Sequence, residues 1–185
     1  MDIFTAFGLS ASAGLNAYIP LLVVAFTAKF TNLIQLSAPW KTLESWWIIG
    51  VLVVLSLIEF FADKIPAINH VNDLVQTIIR PIAGAIVFAS SASVITKVHP
   101  VLAFAAGILV AGSVHAVKSL AVRPAVTATT GGAGNIPVSI MEDLVSTTIS
   151  ILSVIVPVLI AAVVILVTAW ILFRWWKKSN QIANG

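Results

Sequence analysis

Long apolar runs dominate this chain and restrict what it can fold into. The longest, Leu144 to Phe173, contains no charged side chain. A helix that crosses the hydrocarbon core of a bilayer needs about 20 largely apolar residues. Only 9% of the whole chain is charged, whereas a soluble globular domain carries about 25%. The sequence therefore predicts an integral membrane protein built from helices, with the lipid bilayer as its surroundings.

Five apolar runs are candidates for membrane-spanning helices: 3–28, 46–62, 81–96, 101–117 and 144–173. We expect an all-α, polytopic helical membrane protein of about five transmembrane helices, with one or two broken or re-entrant segments. Residues 1–178 would form a single transmembrane domain, and 179–185 a short polar cytoplasmic tail. The first run lacks the basic start of a signal peptide, so we expect it to be retained.

Several segments between or within these runs interrupt regular helix. The first run contains "SASAGLNAYIP", and the second ends at Pro66, which removes a backbone donor. Polar residues recur at helical spacing in 67–79, which indicates an amphipathic helix at the interface or a re-entrant segment before the third run. Pro157 predicts a kink in the fifth run, and Trp170, Trp175 and Trp176 an aromatic belt.

Basic residues outside the apolar runs indicate the orientation. The surplus behind the net charge of +3 lies in loops and the tail, where it sets topology rather than binding nucleic acid. With six of these basic residues placed inside, the N-terminus would be external and the C-terminus cytoplasmic. The expected location is a bacterial cytoplasmic membrane.

Two acids at the end of the second run share one helical face. Glu59 and Asp63 are four residues apart, so they repel each other unless one is protonated or a cation lies between them. That cation could be Lys64, Arg80 or a transported ion. One interpretation is a structural ion pair at the membrane edge. The other is a site that handles protons or cations, because ionisable groups within membrane spans are costly and often functional.

Two Arg-Pro pairs allow two interpretations. Arg80 and Arg123 each precede a proline and end a polar segment. Both could extend to lipid headgroups. Alternatively, they converge on the acids in a buried network, where a guanidinium could also bind an anionic solute.

The segment "TATTGGAGNIPVS" cannot form a regular spanning helix. Such backbone survives at membrane depth only where protein or a water-filled cavity satisfies it. Ser139 and Glu142 fit a capping box, which predicts that the fifth span begins at Ser139 and that Asp143 favours its dipole. The other interpretation is that the loop, including Asn135, and this helix start present amides to a polar or anionic solute.

The remaining polar candidates are weaker. Asn16 lies among small residues that favour close helix packing, or it faces a solute path. His70 with Asp73, and His115 with Lys118, each share a helical face. The chain has three histidines and no cysteine, and it lacks HExxH, GxSxG and Walker A motifs. We therefore expect no metal, no cofactor and no catalytic residues.

Three segments resemble one family: "SAGLNAYIPLL", "EFFADKIPAINHVNDLVQTIIRPIAGAI" and "TGGAGNIPVSIMED". In them the chain is similar to the bacterial integral membrane proteins of domain of unknown function 4126. The similarity runs from about Phe4 to beyond Ile160. It implies a membrane location and a shared architecture, but no activity.

The function predicted from the residues is a small membrane transporter or channel for an ion or small polar solute, proton-coupled through a buried network of acids and bases. The alternatives are a membrane-embedded enzyme acting on a lipid or headgroup, and a structural scaffold. A chain this small encloses little volume, so we expect a homo-oligomer, with a dimer favoured. The expected binding residues are Asn16, Glu59, Asp63, Lys64, Arg80, Lys118, Arg123, Asn135, Glu142 and Asp143, with His70, Asp73 and His115 as secondary polar residues.

Overall fold

The computed structural model describes residues 3–92 and 99–156, and it includes their side chains except those of 66–70 and 92. The prediction of an all-helical fold is confirmed over these ranges. The elements are α1 (Ile3–Leu15), α2 (Tyr18–Phe30), a 3₁₀ helix (Trp40–Glu44), α3 (Trp46–Ala62), α4 (Pro66–Ala92), α5 (Pro100–Val117), a π-helical turn (Lys118–Val122), α6 (Arg123–Thr130) and α7 (Asn135–Ile155).

The lengths of the helices are compatible with a membrane protein. Three helical stretches are long and apolar enough to cross a bilayer: Val71–Ser91, Pro100–Thr130 and Asn135–Ile155. Three shorter apolar helices accompany them: Ile3–Leu15, Tyr18–Phe30 and Trp46–Ala62. Large apolar side chains are exposed on α3 and on the outer faces of the long helices, as expected of a surface that faces lipid.

Helix α1 lies at the centre of the bundle, packed against α4, α5 and α7. Its serines bind neighbouring helices directly. Ser12 Oγ lies 2.7 Å from Ser146 Oγ and 2.6 Å from Ser150 Oγ on α7. Small residues that hydrogen-bond between helices allow close backbone approach without burying an unsatisfied polar group.

Helices α4 and α5 are in direct backbone contact at a pair of glycines. A Cβ atom added to Gly107 would lie 2.5 Å from Gly84 O and 2.6 Å from the Ala85 Cα. Ser10 Oγ of α1 lies 3.0 Å from Gly107 O and 3.3 Å from Gly84 O, so it hydrogen-bonds at this crossing. The backbones of α4 and α5 are therefore in contact at this crossing, and α1 binds both of them there.

The predicted break in the first run is present between α1 and α2. Asn16 Oδ1 accepts hydrogen bonds from Tyr18 N at 3.1 Å and from Ile19 N at 3.0 Å. A side-chain oxygen that accepts from the second and third amides is the geometry of a helix N-cap. Asn16 thus ends one helix and begins the next.

The predicted boundary at Pro81 is wrong. Helix α4 continues through this proline, so segment 67–79 and the start of the third run form one helix rather than an interfacial helix followed by a span. A proline inside a helix costs about 3 kcal/mol. The helix continues because both sides of Pro81 are fixed, with Arg80 fully buried before it and Ala83 to Ala89 packed in the core after it.

The predicted start of the fifth span at Ser139 is also wrong. Helix α7 begins at Asn135, one turn earlier, and Pro137 lies in its first turn. Proline is tolerated there because the amides of a first turn have no partner within the helix. The predicted kink at Pro157, the aromatic belt and the polar tail lie outside the described residues.

Candidate functional site: an ionic network beside a cavity

Eight charged side chains meet inside the bundle, and they come from α3 and the turn after it, α4, the π turn, α6 and α7. Because each contacts at least one oppositely charged partner within 4 Å, we refer to them as the ionic network: Glu59, Asp63, Lys64, Arg80, Lys118, Arg123, Glu142 and Asp143. The network contains four acids and four bases, so its formal charges balance.

Glu59, near the end of α3, is held from two sides. Its Oε1 accepts from Arg80 Nη2 at 2.8 Å, and its Oε2 accepts from the Ala17 amide at 3.1 Å. That amide lies at the N-terminus of α2, where the helix dipole favours negative charge. Arg80 Nη2 is also 3.7 Å from Asp63 Oδ2. The cation between the two acids is therefore the Arg80 guanidinium.

Asp63, in the turn after α3, has the most partners in the network. Its Oδ2 lies 3.3 Å from Arg123 Nη2 and 3.5 Å from Lys118 Nζ, and its Oδ1 accepts from Asn72 Nδ2 at 2.6 Å. Burial raises the pKa of this carboxyl, but Lys118, Arg80 and Arg123 outweigh that effect and hold the pKa below its ordinary value. Asp63 is therefore an ionised, fixed negative charge at neutral pH.

The π-helical turn brings Lys118 and Arg123 to the same acids. The Arg123 amide donates to Lys118 O, five residues back. In an α-helix, residues five apart point about 140° away from each other. The wider turn instead aligns them, and both reach Glu142 Oε2, at 2.9 Å from Lys118 Nζ and 2.8 Å from Arg123 Nη2. Single π turns inside α-helices occur frequently at functional sites.

The break between α1 and α2 is bound to the network at both of its helix ends. Lys118 Nζ donates to Leu15 O, at the C-terminus of α1, at 3.3 Å. Glu59 accepts from the Ala17 amide, at the N-terminus of α2. A cation thus lies at the negative end of one helix, and an anion at the positive end of the next. In secondary transporters the ends of broken helices contact the solute or ion; here they contact the protein's own charged groups.

A further ion pair, between Lys64 and Asp143, completes the network. Lys64 Nζ lies 3.0 Å from Asp143 Oδ2, and Asn16 Nδ2 donates to Asp143 Oδ1 at 3.0 Å. Asn16 therefore caps α2 through its oxygen and binds α7 through its nitrogen. It joins the helix break to the network, which neither of its two interpretations from sequence had included.

His115 on α5 extends the network beyond Arg80. Its Nδ1 lies 3.1 Å from Arg80 Nη1, and its Nε2 lies 3.1 Å from Thr77 Oγ1. Because a guanidinium nitrogen can only donate, Nδ1 is the acceptor, and we assign the imidazole proton to Nε2. His115 is thus a neutral hydrogen-bonding group that positions Arg80.

A cavity of about 870 Å³ adjoins the network. It lies among the α3–α4 turn, α4, the π turn, α6 and the first turn of α7. Its charged and polar lining residues are Asp63, Lys64, Asp73, Ser119, Arg123, Thr127 and Asn135. The rest of its lining is small or apolar: Pro124, Ala128, Gly131, Gly132, Ala133 and Ile136.

A smaller groove of about 460 Å³ borders other members of the network. Lys118 and Glu142 line it together with apolar residues of α5 and α7, such as Val114 and Val145. The larger cavity is bordered instead by Asp63, Lys64 and Arg123. The network therefore lies between a cavity that reaches charged side chains and a more apolar groove.

The structure separates the interpretations left open by the sequence. Arg80 and Arg123 are 0% and 5% exposed, so they converge on the acids and do not extend to headgroups. The capping box is wrong, because α7 has already begun at Asn135 and Ser139 Oγ lies 3.5 Å from Asp63 Oδ2. Glu142 binds Lys118 and Arg123 instead of capping the helix.

The remaining predicted residues lie at different distances from the network. Asn135 and Asp73 line the cavity, and Asn135 Nδ2 donates to Thr127 Oγ1 at 2.9 Å. The side chain of His70 lies outside the described residues. Sequence reasoning missed Asn72 and the Ala17 amide as partners of the acids. The four-residue spacing of Asn72 and Gln76 in the amphipathic pattern could have indicated that Asn72 lies on the polar face of α4.

The family described as Domain of unknown function (DUF4126) matches residues 3–178 of the sequence. The chain belongs to the DUF4126 family. No curated protein and no solved structure matches it. The DUF4126 match includes every member of the ionic network and every residue that lines the cavity.

The charged groups of this DUF4126 site are positioned to interact with a solute in the cavity. Among the described residues, His, Asp and Glu do not form a group of three or more that could hold a metal ion. The network offers fixed ion pairs, and the cavity gives a solute access to Asp63, Lys64 and Arg123. A solute that enters the cavity can therefore compete for the charged groups of the network.

Proposed function

We propose that this DUF4126 protein carries a small ion or small polar solute across the membrane through the cavity beside the ionic network. The observation that carries the proposal is that a cavity of about 870 Å³ reaches charged side chains in the interior of the bundle. Buried charges are costly in a membrane protein, and those that line a cavity mark solute pathways more often than packing contacts.

The broken helix supports the same proposal. Both of its free ends contact charged members of the network. A solute that displaced one ion pair would therefore act on the break itself, because Glu59 and Lys118 bind its two sides. Breaking and re-forming these ion pairs would let one part of the bundle move against the other, as alternating access requires.

Three further elements belong to this proposal. The protein would lie in a bacterial cytoplasmic membrane with its C-terminus in the cytoplasm, and it would act as a homodimer. Proton coupling through Glu59 and Asp63 stays a prediction. Native mass spectrometry of the purified protein should show two copies, and an imposed pH gradient should accelerate solute uptake.

A cavity-filling substitution tests the transport proposal. Ala128 lines the cavity on α6, whereas Ala125 lies one turn earlier on the same exposed helix and does not line it. Phenylalanine at position 128 would occupy part of the cavity. In proteoliposomes, Ala128→Phe should therefore slow solute entry at least several-fold, while Ala125→Phe should leave it unchanged.

The measurement is stopped-flow light scattering of proteoliposomes exposed in turn to glycerol, glycine, guanidinium chloride and sodium glutamate, with potassium and valinomycin present to cancel the membrane potential. Empty liposomes give the background rate. If the wild-type protein accelerates the entry of none of these solutes, or if both variants behave alike, the cavity is not a solute pathway. A change in lipid composition without any gradient would support a lipid-modifying enzyme instead.

A further inference from the structure

We propose that the solute of this cavity is a small organic cation that donates hydrogen bonds through an ammonium or guanidinium group, and that Asp73 binds its charge. This inference rests on the proposed function, because it names the class of solute that the cavity would take. It follows from which lining groups are already paired and which are not.

The other charged groups of the cavity wall are committed to partners. Lys64 pairs with Asp143 at 3.0 Å, and Arg123 pairs with Glu142 at 2.8 Å. Asp63 is surrounded by three cationic side chains and Asn72. An incoming anion would have to separate Lys64 or Arg123 from these acids before it gained a partner.

By contrast, two side-chain oxygen atoms on the cavity wall are unpaired in the described part of the chain. Asp73 Oδ1 and Asn135 Oδ1 are both shielded from solvent, and neither accepts a hydrogen bond within residues 3–92 and 99–156. Asn135 Nδ2 donates a hydrogen bond to Thr127 Oγ1, so Oδ1 is the unpaired atom of this side-chain amide. A buried acceptor without a donor costs about 1–3 kcal/mol. An occupant that donates hydrogen bonds would recover that cost.

The charge balance gives the sign of the occupant. The ionic network holds four acids and four bases, and Asp73 adds a carboxylate that forms no ion pair in the described part of the chain. The cavity and network together therefore carry one excess negative charge. In a site with low-dielectric walls, that excess attracts a cation and repels an anion.

The shape and lining of the cavity favour an organic cation over a bare metal ion. Hard metal ions take six or more oxygen ligands, whereas the buried, unpaired side-chain oxygens among the described lining residues are two, Asp73 Oδ1 and Asn135 Oδ1. An alkylammonium group has three N–H donors and a substituted guanidinium group five, in directions that suit a few acceptors. The small and apolar residues Pro124, Ala128 and Ile136 leave room for a short hydrocarbon group.

Three probe molecules separate charge from hydrogen bonding. Guanidinium carries both a positive charge and N–H donors, urea has a similar planar shape and donors but no charge, and tetramethylammonium has the charge but no donors. Isothermal titration of the detergent-purified full-length protein should show guanidinium binding, with urea and tetramethylammonium each at least about tenfold weaker, equivalent to 1.4 kcal/mol.

One substitution and one control test the role of Asp73. Asp73→Asn keeps the shape of the side chain and removes the excess charge, so guanidinium should bind at least about tenfold more weakly. Glu44→Gln makes the same change of charge in the 3₁₀ helix, away from the cavity lining, and should bind guanidinium as the wild type does. Gel filtration and thermal unfolding verify that both variants fold.

The outcomes distinguish this inference from the transport proposal. If guanidinium does not bind the wild type, or binds no better than urea, the cation assignment is overturned even where proteoliposomes pass another solute. Equal binding to wild type and Asp73→Asn would also overturn it. Guanidinium that binds as expected but does not cross proteoliposomes would leave the cation site standing and remove transport. The comparison of probes on the wild type needs no variant, so a misfolded Asp73→Asn would not prevent a result.

Discussion

At the scale of single residues, the charged groups of the network have partners whose positions are fixed by the helices that carry them. Glu59 is 1% exposed, yet it accepts from both a guanidinium and a main-chain amide. The net benefit of such a pair relative to an apolar core is small, but removal of one partner leaves the other charge buried and unpaired. The individual residues of the network are therefore more interdependent than their pairwise distances suggest.

The Glu59–Arg80 pair gives a test of that interdependence. Glu59→Gln leaves Arg80 without its closest acid and should lower the free energy of unfolding by about 3–5 kcal/mol, the range for a broken buried pair. The double variant Glu59→Gln/Arg80→Gln should lose less than the sum of the two single losses, because neither charge is then unpaired.

Thermal and denaturant unfolding in detergent would measure these losses, with Glu44→Gln as the control for a carboxylate outside the network. If Glu59→Gln unfolds like the wild type, the carboxylate does not hold Arg80. Additive losses in the double variant would contradict coupling between the two side chains.

At the scale of helices, local sequence signals predicted some boundaries and not others. The polar and small residues around Asn16 predicted the break in the first run, because the cap is formed by residues next to one another in sequence. The continuation of α4 through Pro81 was missed, since it depends on packing against α1 and α5. The π turn was missed for a similar reason: its widened hydrogen bond aligns Lys118 and Arg123 with acids on other elements.

The same distinction applies to the site. Spacing showed that Glu59 and Asp63 share a face and need a cation. It could not choose among Lys64, Arg80 and a transported ion, because that choice depends on how α4 packs against α3. The Ala17 amide could not be found from side-chain patterns at all, since any residue type supplies a backbone N–H.

The glycine contact between α4 and α5 gives a test at this scale. Gly107→Ala would place a methyl group against the backbone of Gly84 and Ala85 and force the two helices apart. We expect a loss of stability of about 1–3 kcal/mol, as for overpacking in a core. Gly50→Ala in α3 is the matched control, because a Cβ atom there meets no other atom within 4 Å.

The control should differ in sign, not only in size. Alanine is favoured over glycine inside a helix by about 0.8–1.0 kcal/mol, so Gly50→Ala should leave the thermal unfolding temperature unchanged or raise it. If Gly107→Ala also raised that temperature, the two helices would not be in backbone contact at this crossing.

At the scale of the whole molecule, exposed surface is of two kinds. The outer side chains of α3 are apolar, and Leu57 among them is 53% exposed. The cavity wall on α6 is also open, but it carries Thr127 and adjoins charged groups. In a bilayer, the first surface would contact lipid and the second water, although both are open in the isolated chain.

The absence of cysteine from the chain allows a direct test of this difference. Single-cysteine variants Thr127→Cys and Leu57→Cys should both fold, because each side chain is on a surface. In proteoliposomes, a water-soluble maleimide should label Thr127→Cys at least about tenfold faster, since the reactive thiolate does not form in hydrocarbon.

After solubilisation and unfolding, both cysteines should react at similar rates, which controls for intrinsic reactivity. Equal labelling in the intact membrane would mean that α3 faces water or that the cavity does not. Either result would change the assignment of the lipid-facing side of the bundle.

The π turn between α5 and α6 also determines which residues of α6 face the cavity. It contains one residue more than an α-helical turn with the same start and end. A return to the narrower pattern, with the Arg123 amide bonded to Ser119 O, would rotate everything downstream by about 100° around the helix axis. Arg123 would leave Glu142 and Asp63, and Thr127 and Ala128 would turn with it. A change of backbone acceptors within this one turn would thus reshape the cavity and separate the ion pairs of Arg123 in a single movement.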